Sequence, residues 1–123
     1  MIRTLLLVGI GGGLGSIARY ATTNLAQKYL ASFLPYGTLI ANILGSFLIG
    51  VFMAYLLDHP SQNFKLLLIT GFCGGYTTFS TFSYENFNYL QNGQIVMFLF
   101  YGFGSIAASL LAVFVGYSLA KMT

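Results

Sequence analysis

The sequence predicts an all-α membrane protein of four transmembrane helices, forming one domain over residues 1–123. Two observations carry that expectation. Of 123 residues, 57% are hydrophobic and only 6% charged, so the polar surface that a water-soluble domain must present is missing. The five basic and two acidic residues also leave uncharged windows at 4–18, 29–57, 66–84 and 86–120. Crossing the hydrocarbon core takes about 20 residues at about 1.5 Å rise each. Four helices of about 22 residues leave only tails and short turns. A soluble enzyme is excluded, and the activity is expected inside the bilayer.

Helix 1 is expected from about Ile2 to Lys28 and carries Gly9, Gly11, Gly12, Gly13 and Gly15. Gly9 with Gly13, and Gly11 with Gly15, are four apart and share a face, which lets a second backbone approach closely in lipid. A dinucleotide-binding fingerprint needs a preceding strand, and none is expected here. The basic start followed by an apolar run ending in small residues also fits a secretory signal peptide, whose removal would leave three spans.

Pro35, Tyr36 and Gly37 mark the entry to helix 2, which continues to Leu57 and stops at Asp58, His59 and Pro60. Helix 3 starts near Phe64. Its residues 71–83 pair Gly74 and Gly75 with Thr77, Thr78, Ser80, Thr81 and Ser83, and a break is expected from Gly74 to Thr78. Helix 4 follows the turn Gln91-Asn92-Gly93-Gln94 and runs to Lys121, with Tyr and Phe at both ends of several spans.

The charges are scattered singly, which argues against nucleic-acid binding. With four spans, Arg3, Lys65 and Lys121 share one side, against Lys28 and an outward-snorkelling Arg19. That bias weakly favours cytoplasmic termini, but it equally permits insertion both ways round and an antiparallel pair of copies. Cys73 is the only cysteine, so no internal disulfide can form, and a small buried side chain is expected.

Polar side chains within the spans carry the functional signal, because each must be satisfied in hydrocarbon. Thr38, Asn42 and Ser46 repeat every four residues on helix 2, and Tyr101, Ser105 and Ser109 do so on helix 4. Such stripes serve either as interhelical hydrogen bonds or as the wall of a wet cavity. For Asn42, with up to four bonds to satisfy, the cavity is favoured. Carbonyls freed by the break in helix 3 must face protein, water or an ion. Converging from two copies, they would suit a hard cation such as sodium. Phe79 and Phe82 are three apart, hence on one face; composition alone reads the pair as core packing, while ring edges offer an anion weak electropositive contact. Residues 29–57 and 86–120 hold no Asp or Glu, and Glu85 sits near a helix end. Neutral donors without acids suit a small anion better than a cation or proton relay.

The segments Gly37–Asn42, Gly74–Ser83 and Gly11–Arg19 together resemble the Fluc (CrcB) fluoride channel family, over nearly the whole chain. The third-helix segment is the most specific of the three. The resemblance implies an antiparallel dual-topology homodimer with two pores in the bacterial inner membrane. It implies passive fluoride export and a structural sodium ion at the dimer centre. By the same resemblance, the backbone carbonyls of Gly74 and Thr77 would hold sodium, Phe79 and Phe82 would flank the ion path, and Asn42 would meet the anion. Ser80 and Thr81 would line the half-helix track, with Thr38, Tyr101, Ser105 and Ser109 on the facing walls and Arg19 and Glu85 toward the aqueous mouths. Ser46 departs from the second glycine the family often shows after Gly45.

Rival readings are a dual-topology proton-coupled exporter, a potassium-type carbonyl filter and a non-conducting membrane scaffold. The exporter needs an acid in helix 1, which is absent, and the filter needs the reverse order of Thr and Gly-Tyr. Ion flux would separate a channel from a scaffold.

Overall fold

A computed structural model describes residues 1–30 and 33–123. The chain is all helical among these residues: α1 is Ile2–Tyr29, α2 is Tyr36–Asp58, α3 is residues 62–76, α4 is Phe79–Gln91 and α5 is Ile95–Met122. Three helices, α1, α2 and α5, are long and apolar enough to cross a membrane. The helix expected to be broken is divided into two segments, α3 and α4.

The break is narrower than the expected Gly74 to Thr78. Gly74 and Gly75 remain helical, in the final turn Gly74–Tyr76, and only Thr77 and Thr78 are extended. Gly75 is required by packing, since a Cβ there would stand 3.0 Å from the Gly12 Cα, whereas one on Gly74 would meet only the Ile69 carbonyl at 3.9 Å. The preceding stretch Lys65–Cys73 is wound as a π-helix, a wider turn that is uncommon and concentrates at functional sites.

Small residues set the main crossings. A Cβ on Gly11 would run into the Leu67 carbonyl and lie 2.9 Å from the Phe72 nitrogen, and one on Gly15 would lie 2.8 Å from the Tyr76 nitrogen. Backbone thus meets backbone along α1 and α3, as lipid-embedded packing favours. Gly9 and Gly13 differ from the expected pairing, since a Cβ on either would meet nothing within 4 Å. Gly50 and Gly116 make the corresponding close approach between α2 and α5.

Contacts along the chain show the direction of travel. Residues 11 and 15 of α1 meet 67–72 and 72–76, so α1 and α3 run parallel; Thr38 and Tyr101 share Glu85, Asn42 and Ser46 share a groove with Ser105 and Ser109, and Gly50 meets Val113 and Tyr117, so α2 and α5 do too. The first half of the broken crossing packs on α1 and the second half on α5. Much apolar surface faces outward, including Ile17 at 69%, Phe100 at 70% and Phe114 at 68% exposure, which suits lipid contact.

Cys73 is fully buried, as expected of a small apolar side chain. The α2–α3 turn is closed by an aromatic stack, with Tyr55 4.4 Å from His59 and 4.9 Å from Phe64 between ring centroids. Ser61 caps the following helix by accepting the Phe64 N–H at 3.1 Å.

Candidate functional site

The break at Thr77 and Thr78 is held by Asn42. The Thr78 N–H donates to Asn42 Oδ1 at 2.7 Å, and Asn42 Nδ2 donates to the Thr78 carbonyl at 3.2 Å. One amide thus satisfies both backbone groups of a residue that has left the helix, which the bilayer interior requires. Thr78 then caps α4: its hydroxyl accepts the Thr81 N–H at 3.2 Å and meets the Ser80 and Thr81 hydroxyls at 3.3 and 3.2 Å.

These bonds divert donors from the helix. In an unbroken helix the Thr78 N–H would close on the Gly74 carbonyl, and the Thr81 N–H on the Thr77 carbonyl. Both N–H groups go instead to side-chain oxygens. The Gly74 and Thr77 carbonyls therefore lose their helical donors. The Thr77 hydroxyl folds back on the Cys73 carbonyl at 2.9 Å.

The parallel course of α2 and α5 brings the two polar stripes face to face. Asn42 and Ser46 of α2, with Ser105 and Ser109 of α5, line one groove of about 280 Å³, together with Thr77, Thr78, Phe79 and Phe82. The two Phe rings are 5.7 Å apart between centroids, and Phe82 lies 5.4 Å from Tyr101. Phe82 is buried, whereas Phe79 is 74% exposed at the groove's open side. Ser105 is 5% exposed, and its hydroxyl has no hydrogen-bond partner among the described residues. The second Asn42 N–H is likewise unused by the two Thr78 bonds.

The outer members of the stripes meet elsewhere. Thr38 donates to Glu85 Oε2 at 2.7 Å, and Tyr101 donates to Oε1 at 2.8 Å. This three-residue cluster ties α2, α4 and α5 together, with both carboxylate oxygens accepting charge-assisted bonds. Glu85 also lines two cavities near the loops at 33–35 and 92–94, one with Thr23, Gln27 and Thr38 and one with Asn88, Tyr89 and Gln94. Glu85 lies at the middle of α4 (Phe79–Gln91), not near a helix end as the sequence suggested.

The remaining sequence-expected residues are apart from the groove. Ser80 and Thr81 belong to the α4 cap. Arg19 lies on α1, half-buried, with its Nε lacking a partner among the described residues, and it is not joined to Glu85. Its neighbour Thr22 meets the Tyr76 hydroxyl at 2.8 Å, fixing the end of α3 on α1. Sequence reasoning left Ser46, Thr77 and Thr78 out of the expected anion path, and all three line the groove. The four-residue spacing from Asn42 already marked Ser46 as a candidate. Nothing in spacing marked Asn42 as the partner of Thr78, 36 residues away.

The chain matches the family described as "CrcB-like protein, Camphor Resistance (CrcB)" over residues 6–117. It is 44% identical over 122 residues to the Flavobacterium psychrophilum protein named "Fluoride-specific ion channel FluC", covering 98% of each chain. It is 47% identical over 119 residues to the Clostridium perfringens protein of the same name, covering 95% of this chain and 93% of that one. It is 41% identical over 116 residues to the one from Aquifex aeolicus, covering 93% and 94%. With most of its length aligned at this identity, the chain belongs to the CrcB-like family, whose named relatives are channels rather than enzymes.

Proposed function

We propose that this chain conducts fluoride passively out of the cell, along the groove between α2, α4 and α5. The observation that carries the proposal is the buried Ser105 hydroxyl, which lacks a partner among the described residues and lies in the groove with Asn42, Ser46 and Ser109. In a membrane helix a hydroxyl ordinarily bonds a neighbouring carbonyl or helix; one held unspent in a groove serves a passing ligand. Neutral donors replace the hydration of a small anion without a fixed positive charge that would trap it. The names borne by the relatives supply the identity of the anion.

The wall order suggests a route. An anion enters beside Glu85, passes the level of Thr38 and Tyr101, and reaches Asn42 and Ser105 beside the Phe79 and Phe82 rings. Thr38 and Tyr101 are engaged with Glu85, so they serve an anion only once the carboxylate releases them. Ser80 and Thr81 belong to this route through the cap that orients α4, and Arg19, one turn before Thr23 of the Glu85 cavity, to the same end as Glu85.

The groove's open side and the outward Phe79 ring fit completion by a second copy, and the weak charge bias fits a dual-topology antiparallel homodimer in the bacterial inner membrane. Among the described residues no group of three or more His, Cys, Asp or Glu could hold a metal. A structural sodium ion would therefore rest on backbone oxygen, and the Gly74 and Thr77 carbonyls, deprived of helical donors, are of the right chemistry. When bound, such an ion supplies positive charge that pins these carbonyls at the dimer centre.

The experiment is passive efflux from liposomes carrying the purified chain and loaded with both halides. Fluoride should leave while chloride stays. Retention of both ions refutes the proposal, and equal loss of both refutes its selectivity.

A further inference from the structure

We infer that Gly45 is a positioning residue for the ion path: the space left by its missing side chain is a socket for the Thr77 methyl group, and that socket sets how Thr77 stands in the groove wall. The inference deepens the channel reading and rests on it for its flux readout. Gly45 is buried on α2, three residues after Asn42 and hence on the same face. A Cβ there would run into Thr77 Cγ2 and stand 3.2 Å from Cδ2 of the Tyr76 ring. Helix α2 therefore meets the break at two successive points, with Asn42 on the Thr78 backbone and Gly45 on the Thr77 side chain.

Neither neighbour steps aside freely. The Tyr76 ring is 4% exposed and stacked on Phe72 at 5.9 Å between centroids, and its hydroxyl meets Thr22 at 2.8 Å. Thr77 is held twice by the Cys73 carbonyl, which accepts its N–H and its hydroxyl at 2.9 Å each. A threonine side chain takes staggered positions about 120° apart, so turning the methyl out of the socket carries the hydroxyl away from Cys73. The other escape is a shift of the extended Thr77 backbone, which would pull on Thr78 and its two bonds to Asn42. Either movement reshapes the groove, because Thr77 is one of its lining residues.

The two branches of Thr77 thus have separate partners, the hydroxyl on its own helix and the methyl on α2. Serine would keep the bond to Cys73 and leave the socket empty. Valine would fill the socket and lose the bond. With its hydroxyl proton already given to Cys73, Thr77 serves the path by where it stands.

The test is a double-mutant cycle on the full chain in liposomes, combining Gly45→Ala with Thr77→Ser. On the unaltered chain Gly45→Ala should slow fluoride efflux about tenfold, within the range that overpacking of a fitted contact costs. Thr77→Ser removes the methyl that the added Cβ would meet and keeps the hydroxyl. On that background Gly45→Ala should slow efflux by less than about threefold. Equal slowing on both backgrounds overturns the inference and makes the Tyr76 ring the obstacle; no slowing on either also overturns it. Should Gly45→Ala alone not fold, recovery of a folded species on size-exclusion chromatography by adding Thr77→Ser supports the socket, and failure to recover it overturns the inference. A second readout needs no ion flux: the Thr77 13Cβ and 13Cγ2 resonances of the chain in lipid should move in Gly45→Ala, since both escapes alter that side chain, and unmoved resonances overturn the inference. A chain that carries no fluoride refutes the channel reading, while these resonances still decide the socket.

Discussion

Replacing Asn42 separates its two roles, clamp of the break and contact for the anion. Asn42→Asp keeps an oxygen for the Thr78 N–H, now 2.7 Å from Oδ1, and loses the 3.2 Å bond to the Thr78 carbonyl. Asn42→Leu loses both. The leucine variant strands a buried backbone N–H, which costs about 1–3 kcal/mol, and removes a second bond of about 0.6–1 kcal/mol, for about 2–4 kcal/mol in all. The aspartate variant keeps the N–H partner and should lose about 1–3 kcal/mol less than that. On conduction the order reverses. A negative charge about 5 Å from the passing anion, at an effective dielectric constant of about 20, opposes it by about 3 kcal/mol, or about 300-fold in rate. Thermal unfolding in detergent measures the first quantity and a fluoride electrode on liposome efflux the second. An aspartate variant that conducts within threefold of the unaltered chain would refute the placement of Asn42 beside the path. A leucine variant as stable as the parent would refute the clamp.

Other substitutions address the remaining parts. Ser105→Ala removes a hydroxyl without a protein partner among the described residues, so stability should change by less than about 0.5 kcal/mol while efflux falls about tenfold or more; the reverse pattern would mean the hydroxyl is structural. Thr78→Val removes the α4 cap and should cost about 1 kcal/mol in thermal unfolding, with Thr78→Ser retaining most of it. Gly11→Val forces side chain into the Leu67 carbonyl and should abolish folded protein on size-exclusion chromatography, whereas Gly13→Ala, facing nothing within 4 Å, should express and conduct normally. Exchanging sodium for a large organic cation should weaken the dimer or stop efflux; indifference to the exchange would remove Gly74 and Thr77 from the proposed cation site.

Much of the helix layout was legible in the sequence because hydrocarbon imposes a length and forbids charge, so Arg3, Arg19, Lys28, Asp58, Lys65, Glu85 and Lys121 partition the chain. The stripes of Thr38, Asn42, Ser46 and of Tyr101, Ser105, Ser109 were legible as faces by their spacing. That they face each other was not, because which helices pack together, and the register of α2 against α5, are set by the Gly50 and Gly116 crossing. The break was located, yet its cause was assigned to the wrong residues. Glycine weakens a helix in water, but in lipid Gly74 and Gly75 stay helical and the kink sits where Asn42 offers both a donor and an acceptor. The Glu85 cluster was missed for the same reason: Glu85 lies 16 residues from Tyr101 and 47 from Thr38 in sequence.

The central claim is that protein donors in the groove take the place of water around the anion. Solid-state 19F NMR on proteoliposomes in fluoride, with magnetisation transfer to nearby protons, addresses it directly. A bound-fluoride signal should exchange magnetisation with the Asn42 side-chain amide and the Ser105 hydroxyl, and those transfers should vanish in Asn42→Leu and Ser105→Ala. Active efflux with a fluoride signal coupled only to water would contradict it.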